Sequence, residues 1–177
     1  ILGIGYMKDG EYIENAKRTH LYVNELHFQS WKHIDPKFYH DAGKLYPFLT
    51  LYTGRGCFAL CTFCREPAVM DGRRLRIRNA KKVVDEMEYD LQLYPDLREI
   101  MFETDTFTAV PKHVREVCEE IIARGLHKKI RWSCNVRTDI DTSLLPIMKK
   151  AGCRMLMVGF EFGTNKQLEA VKKGTTI

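Results

Sequence analysis

Three cysteines lie close together in the stretch RGCFALCTFCRE, which runs from Arg55 to Glu66. Cys57, Cys61 and Cys64 have the spacing C-x3-C-x2-C. A structural zinc site uses four protein ligands, and a [4Fe–4S] cluster ordinarily takes four thiolates. Three thiolates would leave one iron of a cluster open to an outside ligand, so the spacing favours such a cluster. His113 or His127 could still complete a zinc site with these cysteines, and that alternative stays open.

The composition is that of an ordinary soluble domain. The chain has 177 residues, of which 45% are apolar and 29% are charged, and it carries a formal net charge of +5. Six cysteines could form three disulfides, but the chain shows no export signal at its start. We therefore expect a reducing, cytoplasmic location. No apolar run approaches the roughly 20 residues of a membrane span. Acidic residues are interspersed with the basic ones, so we do not expect nucleic acid as a partner.

From residue 48 onward, short apolar segments alternate with amphipathic ones. Strands are predicted at 48–54, 98–104, 130–136 and 154–161. Helices are predicted after Asn79, Pro111, Asp141 and Thr164, each residue being suited to a helix start. This order predicts an α/β protein with about four β/α units on a parallel sheet, which is a partial (β/α) barrel.

Parallel sheets of this kind place their chemistry at the carboxyl ends of the strands. The predicted ends carry Arg55 to Cys64, Glu103 to Phe107, Asn135 to Arg137, and Glu161 to Gly163. The cysteines are therefore expected to share one edge of the sheet with most of the conspicuous polar residues. Residues 1–46 show no sustained period and are predicted to be irregular. We interpret them as a connector or the tail of an upstream domain, and residues 47–177 as the start of the core.

The motifs at this edge resemble those of the radical S-adenosylmethionine (SAM) superfamily, over about 130 residues from Pro47 onward. Several details resemble the subgroup that is usually fused to an upstream cobalamin (B12)-binding domain. That subgroup has RGC-x3-CTFC, and its second strand ends in F-x-D-D-x-F-T, where this chain has FETDTFT. Its G-x-E-S-G pattern corresponds here to GFEFG, and a KG pair follows the next helix. Thr104 and Phe162 are departures from the two patterns.

The resemblance implies that Cys57, Cys61 and Cys64 hold a [4Fe–4S] cluster whose open iron is chelated by SAM. Electron transfer would cleave SAM to a 5′-deoxyadenosyl radical, for methylation or ring formation at an unactivated carbon. Partners would be a small-molecule substrate and an electron donor, with cobalamin as a further cofactor of the full-length protein. The residues implied to contact the cofactor are Phe63 (adenine), Glu103 and Asp105 (amino group), Glu161 (ribose) and Arg137, which suits an anionic group, either the SAM carboxylate or a substrate acid.

Structural alternatives exist for several of these residues. Asp105 could merely turn the chain, Arg137 could pair with Asp139, and Phe63 could be ordinary packing. Two other functions also remain open. One is a radical SAM tRNA methylthiotransferase, whose cysteine loop is likewise followed by a proline and basic residues, as in REPAVMDGRR. The other is a zinc-stabilised module without catalytic activity.

The family generally has six core strands, and four are predicted here. The sequence also has no initiator methionine. We therefore expect a fragment of a larger enzyme, inactive in isolation. The fourth strand of such a fragment would have an exposed edge, and unpaired strand edges promote association between chains.

Overall fold

The computed structural model of the protein describes residues 1–69 and 72–177. Its strands are β1 (Gly5–Lys8), β2 (Glu11–Glu14), β3 (Phe48–Leu51), β4 (Gly54–Arg55), β5 (Arg76–Ile77), β6 (Glu99–Phe102), β7 (Arg131–Arg137) and β8 (Cys153–Gly159). Its α-helices are α1 (Glu66–Val69), α2 (Ala80–Leu93), α3 (Pro111–Ala123), α4 (Leu145–Lys150) and α5 (Asn165–Ala170). Met70 and Asp71, which belong to the basic segment compared above with methylthiotransferases, lie outside the described residues.

Four strands form one parallel sheet in the order β3-β6-β7-β8. Each strand is followed by a helix, as the alternating pattern predicts. The sheet does not close on itself, so the partial barrel is confirmed. In the described part of the chain, β8 has a strand on one side only.

The hydrophobic core lies between the sheet and the helices α2, α3 and α4. Alternate residues of β6 and β7 point into it, among them Ile100, Phe102, Trp132 and Cys134, all fully buried. The rings of Phe102 and Trp132 stack with centroids 4.8 Å apart. The opposite face of these strands is more polar, and it bears the side chains that line the barrel interior.

The expected helix starts are present. Asn79 accepts a hydrogen bond from the Lys81 amide at the start of α2, and Thr164 accepts one from the Gln167 amide at the start of α5. Pro111 is the first residue of α3. Asp141 caps a 3-10 turn, Thr142–Leu144, which leads into α4.

Two expectations about chain organisation need correction. Residues 1–46 are not wholly irregular, because β1 and β2 form an antiparallel hairpin in which Tyr6 pairs with Ile13. Sequence periodicity could not show it, since seven of its eight residues are exposed and no buried face imposes a pattern. The last helix ends at Ala170 rather than near Gly174.

A buried polar cluster lies at the opposite end of the sheet from the cysteines. The fully buried carboxylate of Glu99 accepts hydrogen bonds from the Leu45 amide, the Ser133 hydroxyl and the Arg154 guanidinium. These bonds join the segment before β3 to three strands. No helix in the described ranges is both long and apolar enough to cross a membrane.

Candidate functional site

The cysteine loop begins at a short β-ribbon. β4 pairs with β5 in antiparallel register, with Arg55 opposite Arg76. Gly56 follows with a φ of +83°, and a Cβ there would collide with the carbonyl oxygen of Arg74. Only glycine suits this close approach in the left-handed region. The loop is therefore anchored immediately before Cys57.

The far side of the loop is attached to the end of α5. The Thr62 amide donates a hydrogen bond of 3.0 Å to the carbonyl of Val171. All three loop cysteines are free thiols, with Cys61 buried and the other two half-buried. The Sγ of Cys57 lies 4.0 Å from the Thr106 hydroxyl and accepts a long bond of 3.5 Å from the Ala59 amide.

The three cysteines open into one cavity of about 540 Å³ at the carboxyl ends of β7 and β8. Of the five predicted SAM contacts, four line this cavity: Phe63, Asp105, Arg137 and Glu161. Glu103 is exposed and does not line it. The next residue, Thr104, is buried, and its hydroxyl is hydrogen bonded to the amide and the hydroxyl of Thr53. It therefore joins the ends of β3 and β6.

Arg137 is held by several partners at once. Its Nε lies 3.0 Å from Asp139 Oδ1, its Nη2 donates to the carbonyl of Lys173 at 2.9 Å, and its guanidinium faces the Phe58 ring at 5.7 Å. The hydrogen bond from Arg137 lowers the pKa of Asp139. The structural alternative for Arg137, a pair with Asp139, is thus present, and Arg137 also lines the cavity.

Glu161 pairs with a residue that sequence reasoning missed. Its Oε1 accepts a hydrogen bond of 2.9 Å from the ammonium group of Lys173. Lys173 is 6% exposed and lines the same cavity. The sequence feature that could have pointed to Lys173 is the lysine pair before Gly174. Helical periodicity cannot show which of the two lysines turns inward, because α5 has ended before them.

Asp105 is the carboxylate that lines the cavity after β6. Its pKa is raised, first by burial and then by repulsion from Glu66 and Glu103. Asn135 and Thr106 also line the cavity. Asn135 donates a long bond of 3.4 Å to the Thr104 carbonyl, which agrees with its interpretation as a hydrogen bonder at a strand end.

The donor set suits an iron–sulfur cluster. Three soft sulfur donors border one cavity, and no fourth cysteine of the described residues lines it. Taken over residues 1–69 and 72–177, no three His, Cys, Asp or Glu side chains are grouped tightly enough to bind a single metal ion. Cys118 and Cys134 are buried in the core instead, and burial raises the pKa of the Cys118 thiol to about 12.

Comparison with known proteins identifies the class. Residues 51–177 match the Radical SAM superfamily, and the chain belongs to that family. Membership implies a [4Fe–4S] cluster and SAM as cofactors, which confirms the expectation from the motifs. The family match begins at Leu51 in β3 and includes all three cysteines.

Particular relatives are more varied. The chain is 36% identical over 126 residues to an anaerobic magnesium-protoporphyrin IX monomethyl ester cyclase of Cereibacter sphaeroides, covering 70% of this chain and 20% of that protein. It is 29% identical over 178 residues to an uncharacterized methyltransferase of Pyrococcus horikoshii, covering 99% of this chain and 38% of that protein. A cytidylyl-2-hydroxyethylphosphonate methyltransferase of Streptomyces wedmorensis is 30% identical over 165 residues, with 85% and 29% covered.

A solved structure shares the fold. The cobalamin-dependent SAM radical enzyme OxsB, with aqua-cobalamin and SAM bound, superposes with a TM-score of 0.79 at 23% identity. The match covers 99% of this chain and 26% of that one. The chain thus spans between about a fifth and two fifths of the length of these relatives.

Proposed function

We propose that this chain is the cofactor-binding part of a radical SAM enzyme that methylates or cyclises an unactivated carbon. The observation that carries the proposal is that Cys57, Cys61 and Cys64 face one cavity together with Arg137, Glu161 and Lys173. The named relatives that act on known substrates are a cyclase and methyltransferases, which supports this range of chemistry.

The three cysteine thiolates would hold the cluster. When bound, the cluster would supply an electron and SAM a carbon–sulfur bond that this electron can break, which is the chemistry that begins radical reactions at carbon. This chain's residues bind and orient the cofactor.

Each polar wall residue has a role that fits its geometry. Arg137 would bind the SAM carboxylate with the planar fork of its guanidinium, which Asp139 and the Lys173 carbonyl hold in place. Glu161, fixed by Lys173, would accept hydrogen bonds from the ribose hydroxyls. Phe63, 54% exposed at the rim, offers a face to the adenine. Because Glu103 does not line the cavity, Asp105 is the acceptor we assign to the SAM amino group.

The proposal extends to the rest of the protein. We propose residues 1–46 as the tail of an upstream domain and residues 47–177 as the N-terminal part of the core. Cobalamin as a further cofactor is supported by the fold that the chain shares with OxsB. The match covers 99% of the chain, so residues before 47 are part of it. We expect a small-molecule substrate, an external electron donor and a cytoplasmic location. We expect the isolated chain to bind cofactors without completing turnover.

Anaerobic reconstitution with ferrous iron and sulfide tests the cluster. We expect about four irons and four sulfides per chain, with the spectrum of a reduced [4Fe–4S] cluster. Cys61→Ala should lose most of this iron. Cys153→Ala, which changes a half-buried cysteine outside the cavity, should retain it. One zinc per chain with no iron or sulfide would refute the proposal in favour of the zinc-stabilised module. Equal iron in both variants would refute Cys61 as a ligand of the cluster.

A further inference from the structure

A second set of polar side chains lies outside the cysteine cavity. It surrounds a small cavity of about 130 Å³, whose lining includes Gln29, Tyr52, Arg55, Arg78 and Glu86. A larger cavity of about 310 Å³ shares Arg55 with it and adds Arg18. None of these residues lines the cysteine cavity.

Arg78 is the central group of the small cavity. It is 6% exposed, and its Nη1 donates to the Tyr52 carbonyl at 2.7 Å and lies 2.5 Å from Glu86 Oε2. Its Nε and Nη2 are buried and have no hydrogen-bond partner within the described structure. A charged group buried this deeply normally uses its donors, because leaving them unpaired costs free energy.

The other lining residues also present unused donors. Gln29 Nε2 and Arg55 Nε are buried without a hydrogen-bond partner in the described structure. The Glu86 carboxylate is partly engaged: Oε1 accepts from the Gln29 amide at 2.8 Å, and Oε2 lies 2.5 Å from Arg78 Nη1 as an ion pair but has no hydrogen-bond partner in the described structure. Two arginines therefore line the cavity with one carboxylate, and the Arg55 guanidinium also lies over the Tyr52 ring, 5.0 Å from its centroid. The cavity has an excess of positive charge and of N–H donors.

The chemistry of that excess defines the ligand. A tetrahedral oxyanion offers only acceptors and carries negative charge, which matches several N–H donors, and guanidinium groups suit it in particular. We propose that this cavity is a binding site for a phosphate or sulfate group. The volume is that of about four water molecules, which is room for one such group.

The outer cavity offers a path for a longer ligand. Arg18 lines it, and Arg55 borders both cavities, so a phosphate in the inner cavity would have a second cationic region next to it. The oxyanion can thus be a free ion or the terminal phosphate of a larger molecule. The site does not depend on the cluster proposal, because the two cavities have no lining residue in common.

Isothermal titration calorimetry of the chain with inorganic phosphate tests the site. We expect saturable binding of one phosphate per chain. Arg55→Met and Gln29→Leu each remove one unpaired donor without touching the Arg78–Glu86 pair, and each should weaken binding about tenfold. Lys112→Met, which removes an exposed cation on α3, is the matched control and should bind phosphate as the unchanged chain does. Circular dichroism checks that the variants are folded.

A second arm identifies the source of the oxyanion. We compare the affinities of pyrophosphate and phosphate. If pyrophosphate binds more tightly and Arg18→Met abolishes that difference, the site is supported and assigned to a phosphorylated molecule that reaches the outer cavity. Equal affinities would support a site for the free ion. Absence of saturable binding, or the same loss in Lys112→Met as in Arg55→Met, would overturn the proposal and leave ordered water as the partner of these donors.

Discussion

The ammonium nitrogen of Lys173 lies 2.9 Å from Oε1 of Glu161, across the opening of the cavity that the three cysteines line. Glu161 has a φ of +68°, which is uncommon for a residue with a side chain. The left-handed backbone directs the carboxylate back towards the cavity, where Lys173 fixes it. The family resemblance identified Glu161 as a ribose contact, and the structure supplies an ionic partner for its carboxylate.

Loss of Lys173 should weaken SAM binding. In Lys173→Met the Glu161 carboxylate loses its fixed orientation, so we expect the dissociation constant for SAM of the reconstituted protein to rise about tenfold, as for one lost charge-assisted bond. Lys173→Arg should recover part of the loss. Lys172→Met is the matched control, since Lys172 is exposed and adjacent. Equal affinities in the two methionine variants would contradict this role.

Gly56 should be required for the shape of the cysteine loop. Gly56→Ala forces a Cβ against the Arg74 carbonyl in a left-handed conformation, so the ribbon of β4 and β5 must shift. We expect iron incorporation to fall several-fold while the far-ultraviolet circular dichroism stays unchanged. Gly163→Ala has open space and should load normally. Normal iron incorporation in Gly56→Ala would contradict the prediction, because it would show that the backbone before Cys57 can accommodate a Cβ.

Asp90 should make the protein less stable as pH rises. Burial, and then repulsion from Glu86, raises the pKa of its carboxyl group to about 8. The folded protein therefore retains a proton that the unfolded chain releases near pH 4, and stability falls with rising pH between those values. Asp90→Asn removes this dependence. The difference in free energy of unfolding between Asp90→Asn and the unchanged chain should therefore grow in favour of the variant as pH rises. The growth is up to about 1.4 kcal/mol per pH unit and stops at about pH 8.

Urea unfolding at several pH values between 5 and 9 measures this effect. Glu119→Gln, which neutralises an exposed carboxylate on α3, is the control and should follow the unchanged chain. Parallel pH profiles for Asp90→Asn and the unchanged chain would show that the buried carboxyl does not titrate as described.

The open edge of β8 should promote self-association. Static light scattering is expected to show an apparent mass that rises with concentration. Met155→Lys places a charge on that strand and should suppress the rise, because charges on edge strands disfavour pairing. Met7→Lys, on the exposed hairpin, tests whether that apolar surface is responsible instead. A constant monomer mass for the unchanged chain would refute the prediction.

The sequence predicted the parallel sheet and the helix starts well, because both depend on local patterns. Buried strands such as Glu99–Phe102 read as apolar runs, and residues such as Asn79 and Thr164 have side chains that satisfy the first amides of a helix. The positions of the cysteines, Arg137 and Glu161 at one edge followed from the topology of parallel strands.

What the sequence could not supply depends on the path of the chain through space. Lys173 reaches the cavity because Lys172 adopts a φ of +53° after α5, and no residue pattern signals that turn. Glu103 and Asp105 are two residues apart, yet only Asp105 lines the cavity. The Arg78–Glu86 pair joins a loop to a helix, and its burial depends on residues 23–29 covering it.

The wall of the cysteine cavity is drawn from positions as far apart in sequence as Cys57 and Lys173. Its assembly therefore requires β7, β8 and the turn after α5 to be in place at the same time. Any ligand held there binds the native state and not the unfolded chain, so it adds to the free energy of unfolding by mass action. Protein with more bound cofactor should therefore resist denaturant better. The same gain on cofactor binding is expected in variants whose substitutions lie far from the cavity.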